Sequence, residues 1–201
     1  MLALCFSVLL RGALWAIYMK HSHYFCDMSA IISLIQVLRK NKDVYHPVVS
    51  FDPLTDRMVS MNLTSSNTQL TEEMINNTHL FSAYIEQHLA AHHARYAWGG
   101  YGELRTMYSR SRVFDSGHQG EEPRRLHLGV DIWGEAGTTV FCPLGGMVHS
   151  CAMNQADGDY GTTMVLLHQL EGISFYTLYG HLSESDLNIS PGAYINHGQQ
   201  M

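Results

Sequence analysis

The chain changes its hydrophobic period near the middle. Ile31, Ile32, Leu34, Ile35 and Leu38 recur on one helical face behind Ser29, a candidate N-cap, and predict a short amphipathic helix over 29–39. Asn41 to Asp43 end it. Val44 to Phe51 alternates poorly and holds Pro47, which suggests an edge strand or extended segment, and Asp52-Pro53 makes a turn. A second, long helix is predicted from near Leu70 to Ala94, with Glu72 and Glu73 favourable in its first turn and Gly99 and Gly100 closing the region. From Arg124 onward the signal is β. Val140 to Cys142, Gly146 to Ala152, Met164 to Gln169 and Ile173 to Gly180 read as short strands bounded by turn residues. Leu144 to Met147 and Leu170 to Ile173 read as tight hairpin turns, and Ala152 to Gly161 as a longer loop. The expected class is α+β: an N-terminal helical segment followed by a β-rich antiparallel sheet domain with loops at one end.

The first eighteen residues are apolar apart from Ser7, Arg11 and Gly12. A secretory signal wants basic residues before such a run and a small-residue cleavage site after it, and neither is present. A membrane span wants about 20 apolar residues, and Arg11 interrupts this run. A start that serves neither purpose is the reading preferred over a cleaved signal or an anchor, with Met19 and Met28 as alternative starts. Membrane association is accordingly not expected. With 201 residues, 46% hydrophobic and 15% charged, one domain plus an accessory segment can bury a real core. A net charge of -6 offers no basic footprint, so nucleic acid is not an expected partner.

Chemistry concentrates in His127-Leu128-Gly129-Val130-Asp131 and, fifty residues on, Tyr179-Gly180-His181-Leu182. In a straight strand, residues four apart are separated by roughly 13 Å, too far to share one tetrahedral metal. Val130, Ile132 and Trp133 favour strand and Gly129 opposes helix. The backbone is therefore expected to bend or bulge at Gly129, so that a histidine and a carboxylate point at one spot. On spacing alone, a His-x-x-x-Asp is more commonly a polar loop facing solvent.

Residues 107–201 resemble the lysostaphin-type zinc endopeptidases of bacterial cell walls, the LytM-like family. The resemblance is carried by His127 to Asp131, Gly137 to Val140, Pro143 to Val148, Gly158 to Gly161, Met164 to His168, Tyr176 to Ser183 and Gly192 to Ile195, colinear and at the family's spacing. It implies a LytM-like domain of duplicated hybrid-motif type, with zinc as cofactor and peptidoglycan or another peptide as substrate. It further implies His127 and Asp131 as zinc ligands and His181 as a catalytic histidine beside the metal. A cell-envelope or secreted location would follow from the same resemblance. The family's remaining motif, a His-x-His supplying the third ligand, does not follow His181. The only later histidine, His197, is read as an exposed turn residue. The domain thus reads as C-terminally truncated, its final strands absent and an edge left unpaired.

The organisation expected is an apolar leader and short helix over 1–45, an accessory region with one long helix over 46–106, and the metallopeptidase-like domain over 107–201. His88 and His92 lie four apart, but Leu89 stands where a zincin needs Glu, so a solvated face is expected. Arg105, Arg110 and Arg112, among Tyr101 and Tyr108, read as a charged loop, with a cleft lining as the other possibility. Asp157-Gly158-Asp159 lacks the acidic residue that closes a calcium loop. His149 and His168 read as satisfied or half-buried strand residues, and the cysteines as free thiols. Two functions remain: a zinc metalloendopeptidase cutting peptidoglycan cross-bridges by metal-activated water, impaired by the missing motif, or a non-catalytic peptidoglycan-binding or activator module.

Overall fold

Long-range pairing of apolar strands organises the molecule. The computed structural model describes residues 2–10, 28–110, 123–156, 158–184 and 188–201. Arg11 to Tyr18, Met19, Arg112 and Asp157 fall outside them.

In chain order the elements are β1 (Leu2–Leu10), α1 (Met28–Lys40), β2 (Met58–Met61), α2 (Glu72–Asn76), α3 (Thr78–Ala91), β3 (Tyr96–Gly99) and β4 (Glu103–Leu104). They continue with β5 (Leu126–His127), β6 (Val130–Gly134), β7 (Gly146–Asn154), β8 (Gly161–Leu170), β9 (Ile173–Leu182) and β10 (Tyr194–Ile195). Eight strands form one sheet in the order β10-β7-β8-β9-β1-β6-β3-β2, and β4 and β5 form a two-stranded ribbon. Every pairing in the large sheet is antiparallel except β2 with β3. The class is α+β.

Several sequence expectations are corrected. The helix from Leu70 to Ala94 is two helices. Asn77 breaks it, because its Oδ1 accepts from the N–H groups of His79 and Leu80 and caps α3, while Thr71 caps α2. Helix α1 begins at Met28, so Ser29 lies inside it rather than capping it. Val140 and Phe141 make only isolated bridges, to Val49 and Gln200. Leu144 to Met147 is no hairpin, since β7 pairs with β8 and β10. Leu170 to Ile173 is one: Glu171 and Gly172 both take positive φ, 48° and 81°, as a type I′ turn requires.

The apolar leader was not expected to form a strand. Residues 2–6 pair with β6 and residues 6–10 with β9. A continuous apolar run suits a strand with neighbours on both sides better than an alternating edge. Strand β9 is thus paired on both sides, with β8 and with β1. No helix among the described residues is long and apolar enough to cross a membrane.

Strand alternation splits the core between the two sheet faces. Ala97 and Trp133, opposite each other on β3 and β6, join Met61, Leu63 and the α3 residues Phe81 and Ile85. The other cluster gathers Tyr96, Val148, Met164, Leu166, Tyr179, Leu182 and Ile195. His168 is buried beside it: its Nε2 lies 2.7 Å from Thr177 Oγ1, its Nδ1 3.1 Å from the Gly145 carbonyl. Gly146 makes room for this ring, since a Cβ there would meet it at 2.7 Å. His149, by contrast, is exposed.

Leu166 is fully buried, so Leu166→Ala should cost about 3 kcal/mol of unfolding free energy in a urea titration, against a near-neutral Leu54→Ala at the exposed turn. Burial pushes the His168 pKa below the ordinary 6.5, outweighing its backbone hydrogen bonds, which raise it. The unfolded chain then binds the proton more readily than the folded one, so the stabilisation is full above the ordinary value and is lost as pH falls below it. Melting temperature should therefore drop on acidification below about pH 6.5, and His168→Asn should flatten that slope.

Candidate functional site

The site forms where the small ribbon meets the large sheet. His127 ends β5 and pairs with Glu103 of β4; Asp131 lies in β6 between Cys5 of β1 and Gly99 of β3. Leu128 and Gly129 interrupt the strand, with a bend at Gly129, so His127 and Asp131 sit in different sheets. That break shortens the straight-strand separation: His127 Nε2 lies 3.5 Å from Asp131 Oδ1. Both side chains are buried.

The His127 ring is oriented from behind. Its Nδ1 is 3.3 Å from the Gly100 carbonyl, which can only accept, so a proton on Nδ1 satisfies that contact. The other nitrogen, Nε2, faces Asp131 Oδ1 and donates to it whenever it too carries a proton. The edge of the Tyr108 ring packs on His127, with centroids 6.3 Å apart.

Asp131 already has a cation. Arg105 Nη1 donates to its Oδ2 at 2.5 Å, and Arg105 Nε donates to Glu103 Oε2 at 2.9 Å. Arg105 is only 3% exposed, and its Nη2 has no hydrogen-bond partner. Burial alone would raise the Asp131 pKa, but the hydrogen bond with His127 and the charge of Arg105 more than offset it and hold the carboxyl below its usual range. Burial likewise works against the Arg105 charge, and Asp131 outweighs it, so the guanidinium stays firmly protonated.

This corrects the reading of the Gly99 to Arg112 stretch as a charged loop. Arg105 is a buried member of the site, and the sequence holds a signal for it. Glu103 and Arg105 are two apart, hence on one side of a strand, and a buried Asp131 needs a nearby cation.

His181 is half-buried near the end of β9, with its backbone in the left-handed region at φ 58°. The register of β8 against β9 slips between Thr162 and Met164, a bulge that turns this part of β9. The His181 N–H donates to the Tyr160 carbonyl at 2.7 Å, which holds the strained residue in place. Burial lowers the His181 pKa, while the charges of Asp131 and Asp159 act in the other direction. Asp131 is thus electrostatically coupled to both histidines predicted with it. His197 is exposed in the turn Asn196–Gln199 and stacks edge-on near His46, with centroids 5.8 Å apart. His88 and His92 have rings 4.5 Å apart on α3; His88 reaches the Ser60 carbonyl.

A resident zinc does not fit the described residues. Zinc sites of the hydrolytic kind take three protein ligands. Here two converge, and one oxygen of the second is held by Arg105. No group of three or more His, Cys, Asp or Glu side chains among the described residues can hold a metal ion. Cys142 and Cys151 are free thiols, and burial pushes Cys142 up to about 11, so it is a thiol and not a thiolate ligand at neutral pH.

The ion pair should be visible in stability. Asp131→Ala leaves a buried guanidinium without its closer carboxylate and should cost about 3 kcal/mol in chemical denaturation. A cost below about 1 kcal/mol, the range of an exposed pair, would mean that the pair is solvated in solution.

Neither a curated protein nor a solved structure matches the chain. The model of peptidase family M23 matches residues 125–201, a span that contains His127, Asp131 and His181. With the colinear motifs and the antiparallel sheet that carries them, residues 125–201 belong to peptidase family M23.

Proposed function

We propose that this peptidase-like domain recognises peptidoglycan peptides, and that peptide-bond hydrolysis is impaired in residues 1–201. The observation that carries the reading is the half-built metal site. His127 and Asp131 converge, but no third donor joins them among the described residues, and Arg105 holds one oxygen of Asp131. Hydrolysis of an amide by metal-activated water needs a firmly held metal, a polarised carbonyl and a group to move the proton. The zinc chemistry that the family implies would require a third donor, so no hydrolytic step is assigned here.

Binding is better supplied. A groove of about 470 Å³ opens beside the site and is lined by Asn62, Asn67, Gln69, Tyr84 and Trp98, reaching Gly100 and Glu103. Gly100 is the residue whose carbonyl orients His127, and Glu103 is the partner of Arg105. Amide side chains offer both donors and acceptors to a peptide backbone, and the half-exposed Trp98 offers an apolar face. His181, whose pKa burial lowers, supplies a further polar ring within the electrostatic reach of Asp131.

The endopeptidase reading keeps one observation in its favour, the convergence of His127 Nε2 on Asp131 Oδ1 at 3.5 Å. A sedimentation assay with insoluble peptidoglycan, followed by chromatography of the supernatant, separates the two. The 201-residue chain should pellet with the polymer and release no cross-bridge peptides, and Trp98→Ala should weaken pelleting roughly fivefold. Peptide release that His127→Ala abolishes would establish the enzyme instead. A chain that neither pellets nor cleaves would overturn both.

A further inference from the structure

The geometry points to Arg105 as a built-in counter-cation that takes the place of a metal between Asp131 and Glu103 and keeps the half-site weak toward divalent cations. The inference rests on reading His127 and Asp131 as a metal half-site.

Three observations make this guanidinium part of the fold rather than a side chain resting on a convenient charge. Its backbone is anchored: the Arg105 N–H donates to the Arg125 carbonyl, and Arg105 bridges Thr64. Its second carboxylate is anchored too, because Glu103 Oε1 accepts the Leu63 N–H at 3.0 Å while Oε2 accepts from Arg105 Nε. Its far end is cradled, since Gly99 faces Nη2 and a Cβ there would stand 2.9 Å from it. The guanidinium carbon also lies 5.8 Å from the centre of the Tyr108 ring, whose edge packs on His127. One cation thus spans both carboxylates of the site.

The consequence for metal binding is electrostatic. With Arg105 present, the two carboxylates are largely compensated, and an arriving divalent cation meets a fixed positive charge bonded to its carboxylate ligand. Repulsion between close charges in a buried place is strong. With Arg105 absent, the buried Asp131 carboxylate and the half-buried Glu103 carboxylate lose the one cation they share. A divalent cation is then the group that relieves them. Glu103 lies opposite His127 across the β4–β5 ribbon.

The test is calorimetric zinc titration of the 201-residue chain, with melting temperature read in zinc and in chelator. Wild type should bind zinc weakly and gain little melting temperature. Arg105→Met should bind at least tenfold tighter, melt lower than wild type in chelator and regain the difference in zinc. Arg105→Met with Asp131→Asn should lose the gain. Arg105→Lys, which keeps the charge, should stay near wild type. Should Arg105→Met not fold in chelator, recovery of the fold in zinc supports the inference. Should it not fold in either condition, Gly99→Ala decides: its Cβ pushes Nη2 aside, and tighter zinc binding supports the inference while unchanged binding overturns it. Wild type binding zinc and a folded Arg105→Met binding it no tighter overturns the inference alone. No zinc binding by either chain overturns it together with the metal half-site reading.

Discussion

A carboxylate placed in the middle of a β-sheet must be paired, and the pairing of Asp131 shapes everything around it. Strand β6 runs between two neighbours, and the Asp131 side chain is buried against its face. An uncompensated charge there would cost far more than the whole stability of a domain permits. Arg105 answers it from the short ribbon, Glu103 steadies Arg105, and the Leu63 N–H steadies Glu103. His127 completes the ring from the other side, its Nδ1 held at the Gly100 carbonyl. The chain of contacts ties residues 63, 100, 103, 105, 127 and 131 into one polar network beneath the sheet.

That network explains why the segment before the family domain is physically part of it. Strand β3 pairs with β6, and β4 pairs with β5. Helix α3 lays Phe81 against Trp133, with ring centroids 5.5 Å apart. The residues that line the neighbouring groove, Asn62, Asn67, Tyr84 and Trp98, all come from this earlier segment. The groove and the His127–Asp131 pair therefore come from different stretches of chain, joined by hydrogen bonds at Gly100 and Glu103.

The two histidines show how differently burial can act on one residue type. His168 is enclosed by Thr177 and Gly145, which fill its hydrogen-bonding capacity, and its role is to keep the core polar-satisfied. His181 is held by a bulge and a left-handed backbone at the rim, within reach of the Asp131 charge. Backbone strain persists only where surrounding structure enforces it, and here the Tyr160 carbonyl and the β8 bulge do so. Sequence alone gives both as histidines on strands.

Local pattern determined the strands β7, β8 and β9, the β8–β9 turn at Glu171-Gly172, helix α1, and the convergence of His127 and Asp131 through a break at Gly129. Each of these depends on neighbours in sequence: alternation, a left-handed turn pair, helical spacing, a missing Cβ. The short motifs and their colinear order also sufficed to name the family of residues 125–201. Other features needed the folded chain. Leu2–Leu10 becomes a strand only because β6 and β9 leave a place for it, and apolar content does not specify which strands flank a run. Asn77 splits a helix that periodicity reads as continuous, since a cap is a single hydrogen-bonding choice rather than a pattern. Arg105 looks like any loop arginine until Asp131 is buried 26 residues away. Charges buried by long-range pairing choose their partners in space, and the tertiary structure alone decided that Asp131 is paired with a guanidinium.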